Sequence, residues 1–170
     1  FYGWDNVKDD ANIVGHLSVG MPGTVAGLCE AHSRYGSIPL ADLLAPSVEL
    51  AQRGIEVDSR TEMYAAREMR NFGRFPLLGA MLLVDGHPPS PGSFWAPGDR
   101  LVWAELADTY RAIADGGADA FYKGPIAQAI AAEMARHGGI ITYEDMTEYE
   151  SSVSVLDGGD LRRYRGLSYT

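Results

Sequence analysis

Apolar side chains recur along most of this chain at three- and four-residue steps, the spacing of one helix face, and the repeats are cut short by glycine and proline. The clearest stretch covers residues 101–141. Val102, Trp103, Leu106, Tyr110 and Ile113 share a face and predict a helix ended by Gly116-Gly117, where glycine supplies the left-handed cap. Pro125 opens a second helix, since a first-turn residue needs no donor N–H. That helix buries Ile126, Ile130 and Met134, is lined by Ala127, Ala131 and Ala135, and stops at Gly138-Gly139. Phe121 and Tyr122 lie in the short connection. Large rings carry the greatest core payload, so they read as plugs in the groove between the two helices and not as ligand contacts.

The remainder follows the same rule with weaker faces. Residues 1–12 lack a periodic apolar face and read as irregular, and residues 13–19 are β-branched enough for a short extended run ended by Gly20. Pro22 and Gly23 make a sharp turn, after which Val25, Leu28, Cys29 and His32 share a helix face up to Tyr35-Gly36, which should leave Cys29 buried and inert. Pro39 opens a helix with Leu40, Leu43 and Leu44 that should kink or split at Pro46 before Gly54 caps its second piece. Asp58 or Ser59 can cap a helix running through Phe72, with Met63 and Tyr64 inward and Arg60, Arg67 and Arg70 outward. Residues 73–97, punctuated by Pro76, Pro88, Pro89, Pro91 and Pro97, predict a long surface excursion with one strand at 81–84. Thr142-Tyr-Glu-Asp145 is a capping-box variant that starts a short helix to Tyr149. Residues 151–156 look extended, and Arg162, Arg163 and Arg165 make the last turn basic. The pattern as a whole is mainly α: a multi-helix domain of short Gly/Pro-punctuated helices with minor extended segments. Residues 1–150 form the helical region, and 151–170 form an extended tail.

Bulk composition narrows the partners. A chain of 170 residues can bury a core without a metal or disulfide. With 14 Lys plus Arg against 23 Asp plus Glu, the formal charge of −9 repels a phosphate backbone or an anionic membrane surface, so nucleic acid is not an expected partner. Cys29 is the single cysteine, which excludes an internal disulfide and a thiolate metal cluster but leaves the redox compartment open. No apolar run reaches the roughly 18 residues of a membrane span, and the first residues do not resemble a basic-then-apolar signal sequence.

Candidate chemistry is sparse. His16, His32, His87 and His137 sit in four different contexts, with no His-x-x-x-His pair and no neighbouring carboxylate at ligand spacing, so no metal ligands are assigned. Glu144 and Asp145 could pair as acid and base, yet they stand in a first helical turn, where carboxylates are favoured electrostatically. The run Gly20-x-x-Gly23-x-x-x-Gly27 holds a proline and no following lysine, so it reads as a turn and a close helix contact, not as a phosphate cradle. No catalytic, cofactor-binding or metal-binding residue, and no cofactor, is assigned from the residues alone.

An ordered set of blocks adds what the chemistry does not. Gly20-Met-Pro-Gly-Thr-Val-Ala-Gly27, Tyr35-Gly36, Leu44-Ala-Pro-Ser-Val-Glu-Leu-Ala-Gln-Arg-Gly54, Asp85-Gly86-His-Pro88, Leu106-Ala-Asp-Thr-Tyr110, Ile113-Ala-Asp-Gly-Gly117, Ala120-Phe-Tyr-Lys-Gly124 and Gly138-Gly-Ile-Ile-Thr-Tyr-Glu-Asp-Met146 resemble the γ-glutamyltranspeptidase family, in the same order. The resemblance implies an N-terminal nucleophile hydrolase whose precursor cuts itself; a threonine so exposed attacks the γ-glutamyl carbonyl, its own amine serving as base. It further implies that this chain is the later part of the large subunit, a helical region flanking an αββα core that the chain does not contain, with residues 151–170 leading toward that core. The implied partners are the remaining large- and small-subunit segments and a γ-glutamyl small molecule. Bacterial relatives are often periplasmic or secreted.

The nucleophile is then expected downstream, so the chain alone should be inactive. His16-Leu-Ser18 after Gly15 imitates the surroundings of the family's nucleophile without a threonine before it, and Thr170, at the carboxyl end, has no free amine. The family's carboxylate-gripping arginine lies upstream of these blocks, so neither Arg34 nor Arg53 takes its role. Asp157-Gly-Gly-Asp160 departs from the family's proline- and serine-rich continuation, although Tyr164-Arg-Gly166 resembles the approach to it. A cephalosporin-type acylase of the same family is the alternative enzyme, and a non-catalytic helical binding module is the alternative from another class. On its own the segment should expose an apolar patch and self-associate.

Overall fold

The computed structural model describes residues 7–151 and the backbone of residues 162–164 and 167–169. After a 3-10 turn at Lys8–Asp10 the described chain runs through helices α1 (Thr24–Tyr35), α2 (Leu40–Arg53), α3 (Ser59–Arg67), α4 (Met69–Arg74), α5 (Pro76–Leu82), α6 (Ala104–Tyr122), α7 (Pro125–His137) and α8 (Tyr143–Thr147). Two small antiparallel pairs accompany them: β1 (Ile55–Glu56) with β2 (Arg100–Leu101), and β3 (Arg162–Tyr164) with β4 (Leu167–Tyr169). The mainly helical class expected from the pattern is what is observed.

The central pair of helices lies close to where the periodicity puts it. Gly117 takes φ 60 and ψ −148, a conformation closed to residues with a Cβ, and so breaks the first segment where a cap was expected. The connection after it is itself helical, and α6 therefore ends at Tyr122. Pro125 occupies the first turn of α7, and Gly138 closes it in the left-handed region with its N–H on the Met134 carbonyl. The chief pairing is α2 along α6, with α1 and α7 also packed on α6 and α8 on α7. One core cluster joins Ala26 of α1, Tyr122 of α6, Ala127 and Met134 of α7, Ile141, and Met146 of α8. Alanine at Ala26 and Ala127 lets helix backbones approach closely, and the flexible methionines fill the irregular gaps left over.

The end of α2 is tied to the start of α6 by the β1–β2 pair. Ile55 registers with Leu101 and Glu56 with Arg100. Gly54 sits at φ +80, and a Cβ there would lie 2.7 Å from Val102 Cγ2 and 3.0 Å from the Leu101 carbonyl oxygen, so glycine is required twice over. Arg100 donates to the Gly54 carbonyl at 2.9 Å and to Glu56 at 2.7 Å. Trp103 N–H reaches the Ala51 carbonyl at 2.9 Å.

Several local expectations are corrected. Residues 13–19 form turns, not a strand: Ile13 and Val14 N–H both return to the Asp10 carbonyl. Pro46 neither splits nor ends α2; the Asp42 carbonyl it deprives of a donor lies on an exposed side, where water can serve it. Asp58 caps α3 as expected, accepting the Thr61 N–H at 2.7 Å, but the helix breaks at Glu68 before α4 begins. Met63 and Tyr64 are 48% and 54% exposed, and the small Ala65 takes the inward position. Val102, 55% exposed, precedes α6 and lies off its buried face, and Leu28 is 66% exposed. The strand expected at 81–84 is instead the end of α5, opened by Pro76 in its first turn, with only a Val84–His87 bridge after it. Helix α8 stops at Thr147, short of Tyr149. The extended reading of 151–156 and the basic side chains of the last turn fall outside the described residues, apart from Ser151.

Candidate functional site

Tyr122 is the hub of the core. Gly23 precedes α1 and has no side chain with which to cap it, so the first N–H groups of that helix need a partner from elsewhere. The Tyr122 hydroxyl supplies one: it accepts the Ala26 N–H at 3.1 Å and donates to the Pro22 carbonyl. Its ring stacks on Tyr149, centroids 5.4 Å apart, and meets Phe121 edge-on at 4.9 Å. Burial pushes the Tyr122 phenol above its ordinary pKa. Tyr122 thus packs in the core with Phe121 against it, from the last turn of α6 and not from a connection between two helices. Gly23 shows why the glycine-rich turn is a close contact: a Cβ there would strike the Tyr149 hydroxyl.

Around this hub lies an open cleft of about 400 Å³ that includes Cys29, Asp119, Tyr122, Lys123, Tyr149 and Glu150. Cys29 is half-buried, not fully buried, and desolvation pushes its thiol pKa up, so it stays protonated and is a poor nucleophile. Lys123 pairs with Asp119 at 2.8 Å. Glu144 and Asp145 both stand in the first turn of α8. Asp145 completes a capping box with Thr142, and the hydrogen bonds from Thr142 hold its carboxyl below the usual range. The Asp145 carboxylate therefore serves the helix start, as its position in the first turn implied.

The histidines are rearranged by the fold. His32 Nε2 lies 2.7 Å from the Ile38 carbonyl, and His87 is exposed at the bridge beyond α5. His16 and His137 are brought together, against the expectation of four separate contexts. Their rings stack with centroids 4.7 Å apart and planes 15° apart. Glu133, one turn before His137 on α7, aims one oxygen between them: Oε1 is 3.6 Å from His16 Nε2 and 3.3 Å from His137 Nε2. Arg136 holds the other oxygen, Oε2, at 2.8 Å. Gly139 makes the approach feasible, since a Cβ there would sit 3.1 Å from the His16 carbonyl oxygen and 3.2 Å from its Cβ. The part of this signal that the sequence carries is Glu133-x-x-x-His137, two donors one turn apart on one helix face, a carboxylate at ligand spacing that the expectation overlooked; His16 arrives only through the tertiary fold.

Against this geometry, the family model described as Gamma-glutamyltranspeptidase matches residues 1–167. The chain belongs to the gamma-glutamyltranspeptidase family. Among its relatives, the glutathione hydrolase proenzyme of Escherichia coli is 36% identical over 96% of this chain. The acylase ACY 1 proenzyme of Pseudomonas sp. (strain SE83) is 35% identical over 94%. The crystal structure of the gamma-glutamyltranspeptidase of Helicobacter pylori superposes with a TM-score of 0.78 at 30% identity, covering 96% of this chain and 45% of that one. The chain spans only 27% of the length of each of those two proenzymes. Within the gamma-glutamyltranspeptidase fold it is a helical segment of a larger structure. No helix among the described residues is long and apolar enough to cross a membrane.

Proposed function

We propose that this chain is the later large-subunit part of a γ-glutamyl transferase or hydrolase precursor, and that the nucleophilic threonine and the carboxylate-gripping arginine lie outside it. The observation that carries the reading is the match along residues 1–167 by a family whose proenzymes are almost four times longer than the share covered, 27%. The use of threonines here supports it. Thr61, Thr109, Thr142 and Thr147 turn their hydroxyls to groups of their own helix turn, Thr61 and Thr142 to the capping carboxylates Asp58 and Asp145, and as residues inside the chain none of the four has the free amine that would serve as its base. In the complete enzyme the threonine oxygen attacks the γ-glutamyl carbonyl, its amine takes the proton, and the leaving amine departs with a proton returned to it. Water or a second amine then releases the glutamyl group. The role of the helical segment is to wall that core through α6 and α7. Assay of the segment and of the full-length gene product with a γ-glutamyl anilide tests this: turnover belongs to the full-length protein, and turnover by the segment alone would overturn the proposal.

The 35% identity to an acylase proenzyme favours a second reading, in which the complete enzyme takes a cephalosporin-type acyl donor. Offering both donors to the full-length protein separates the two, because the preferred donor has the larger kcat/KM.

A further inference from the structure

We propose that His16, Glu133 and His137 form a binding site for a single divalent transition-metal ion of the zinc class, which pins the turn before α1 to the end of α7. The site lies outside the cleft around Tyr122. Two imidazole nitrogens and one carboxylate oxygen are the donor set that suits such an ion and leaves a fourth position for water. Ligands bound about 2.0–2.1 Å from a tetrahedral zinc stand about 3.3–3.4 Å from one another. Glu133 Oε1 meets that spacing from both sides, at 3.3 Å to His137 Nε2 and 3.6 Å to His16 Nε2. All three donor atoms fall within 4.8 Å of one another.

The surroundings are organised as an outer shell would be. Arg136 grips Oε2 of Glu133 at 2.8 Å, which orients Oε1 toward the ring nitrogens. Glu133 and His137 are one turn apart on α7, so the helix fixes their relative positions before any ion arrives. His16 is held by the turns of residues 11–18 and by Phe75, whose ring lies 6.4 Å from its own. The stacked rings converge on one ion only after rotation of the His16 side chain, for which the open cleft of about 790 Å³ that His16 lines with Phe75, Leu78 and Met81 leaves space. The competing account is an ion-pair latch alone, in which one protonated histidine satisfies Glu133 and no metal binds.

The full-length gene product, stripped with a chelator and dialysed, should be titrated with Zn²⁺ by calorimetry and with Co²⁺ by visible absorption. The wild type is expected to bind one more equivalent than His137→Ala or His16→Ala, with a Co²⁺ spectrum of low coordination number that those variants lose. Glu133→Gln is nearly isosteric and guards against a folding artefact; it should weaken that equivalent at least about tenfold, and Arg136→Gln by about 10- to 100-fold. His32→Ala and His87→Ala should leave stoichiometry and affinity unchanged. Equal Zn²⁺ stoichiometry in wild type, His16→Ala and Glu133→Gln would leave the ion-pair latch as the sole role of the cluster and overturn the proposal.

Discussion

Tyr122→Phe removes one oxygen and keeps the ring, which makes it the sharpest perturbation of the core. The side chain is 3% exposed, so water has little access to the groups the hydroxyl leaves behind. Two are affected: the Ala26 N–H, 3.1 Å away in the first turn of α1, and the Pro22 carbonyl. A buried donor left without a partner costs about 1–3 kcal/mol, while the stack on Tyr149 and the edge contact with Phe121 survive in the variant. The expected loss is therefore about 2 kcal/mol. For a chain of this length that lowers the melting temperature by about 4–8 °C. Urea unfolding followed by circular dichroism reads it as a lower midpoint with an unchanged slope. Amide exchange adds a local readout, since Ala26 should lose protection beyond the average of its helix. If Tyr122→Phe stays within about 0.5 kcal/mol of wild type and the Ala26 amide keeps its protection, the hydroxyl does not cap α1 and the reasoning fails.

Three further outcomes follow from the same packing. Gly23→Ala should destabilise by about 1–3 kcal/mol through its clash with the Tyr149 hydroxyl, and adding Tyr149→Phe should recover part of that loss, a coupling that a double-mutant cycle measures. The Asp145 carboxyl is held low by Thr142, so its contribution is present above the ordinary carboxylate pKa and disappears as pH falls through its lower folded value; Asp145→Asn should therefore differ from wild type at neutral pH and converge with it in acid unfolding. The isolated chain exposes Leu28, Tyr35, Leu77, Ile140 and the Phe94–Trp95 pair, which are 89% and 88% exposed, so sedimentation should show concentration-dependent association and a clean monomer with no dye-binding surface would refute it.

Local rules determined much of the fold on their own. Helices α6, α7 and α8 follow from apolar spacing together with punctuation that acts within a turn or two: Pro125 at a first turn, Gly117 and Gly138 at positive φ, and Thr142 with Asp145 reciprocally bonded. Such signals need no distant partner, so they are legible in the residues themselves.

Tertiary structure decided whatever depended on a second segment. Pro46 forecast a kink or split, yet α2 runs unbroken through it, with the exposed Asp42 as the residue whose carbonyl loses its donor and with the helix packed along α6. Met63 and Tyr64 suggested an inward face, but the neighbouring surface admits Ala65 in their place. The two centres of this chain illustrate the limit. The Tyr122 hydroxyl caps a helix 96 residues earlier, and His16 reaches Glu133 and His137 from more than a hundred positions away. Helical periodicity reports which side chains share a face within about two turns; it carries no term for which faces, once formed, are folded against each other.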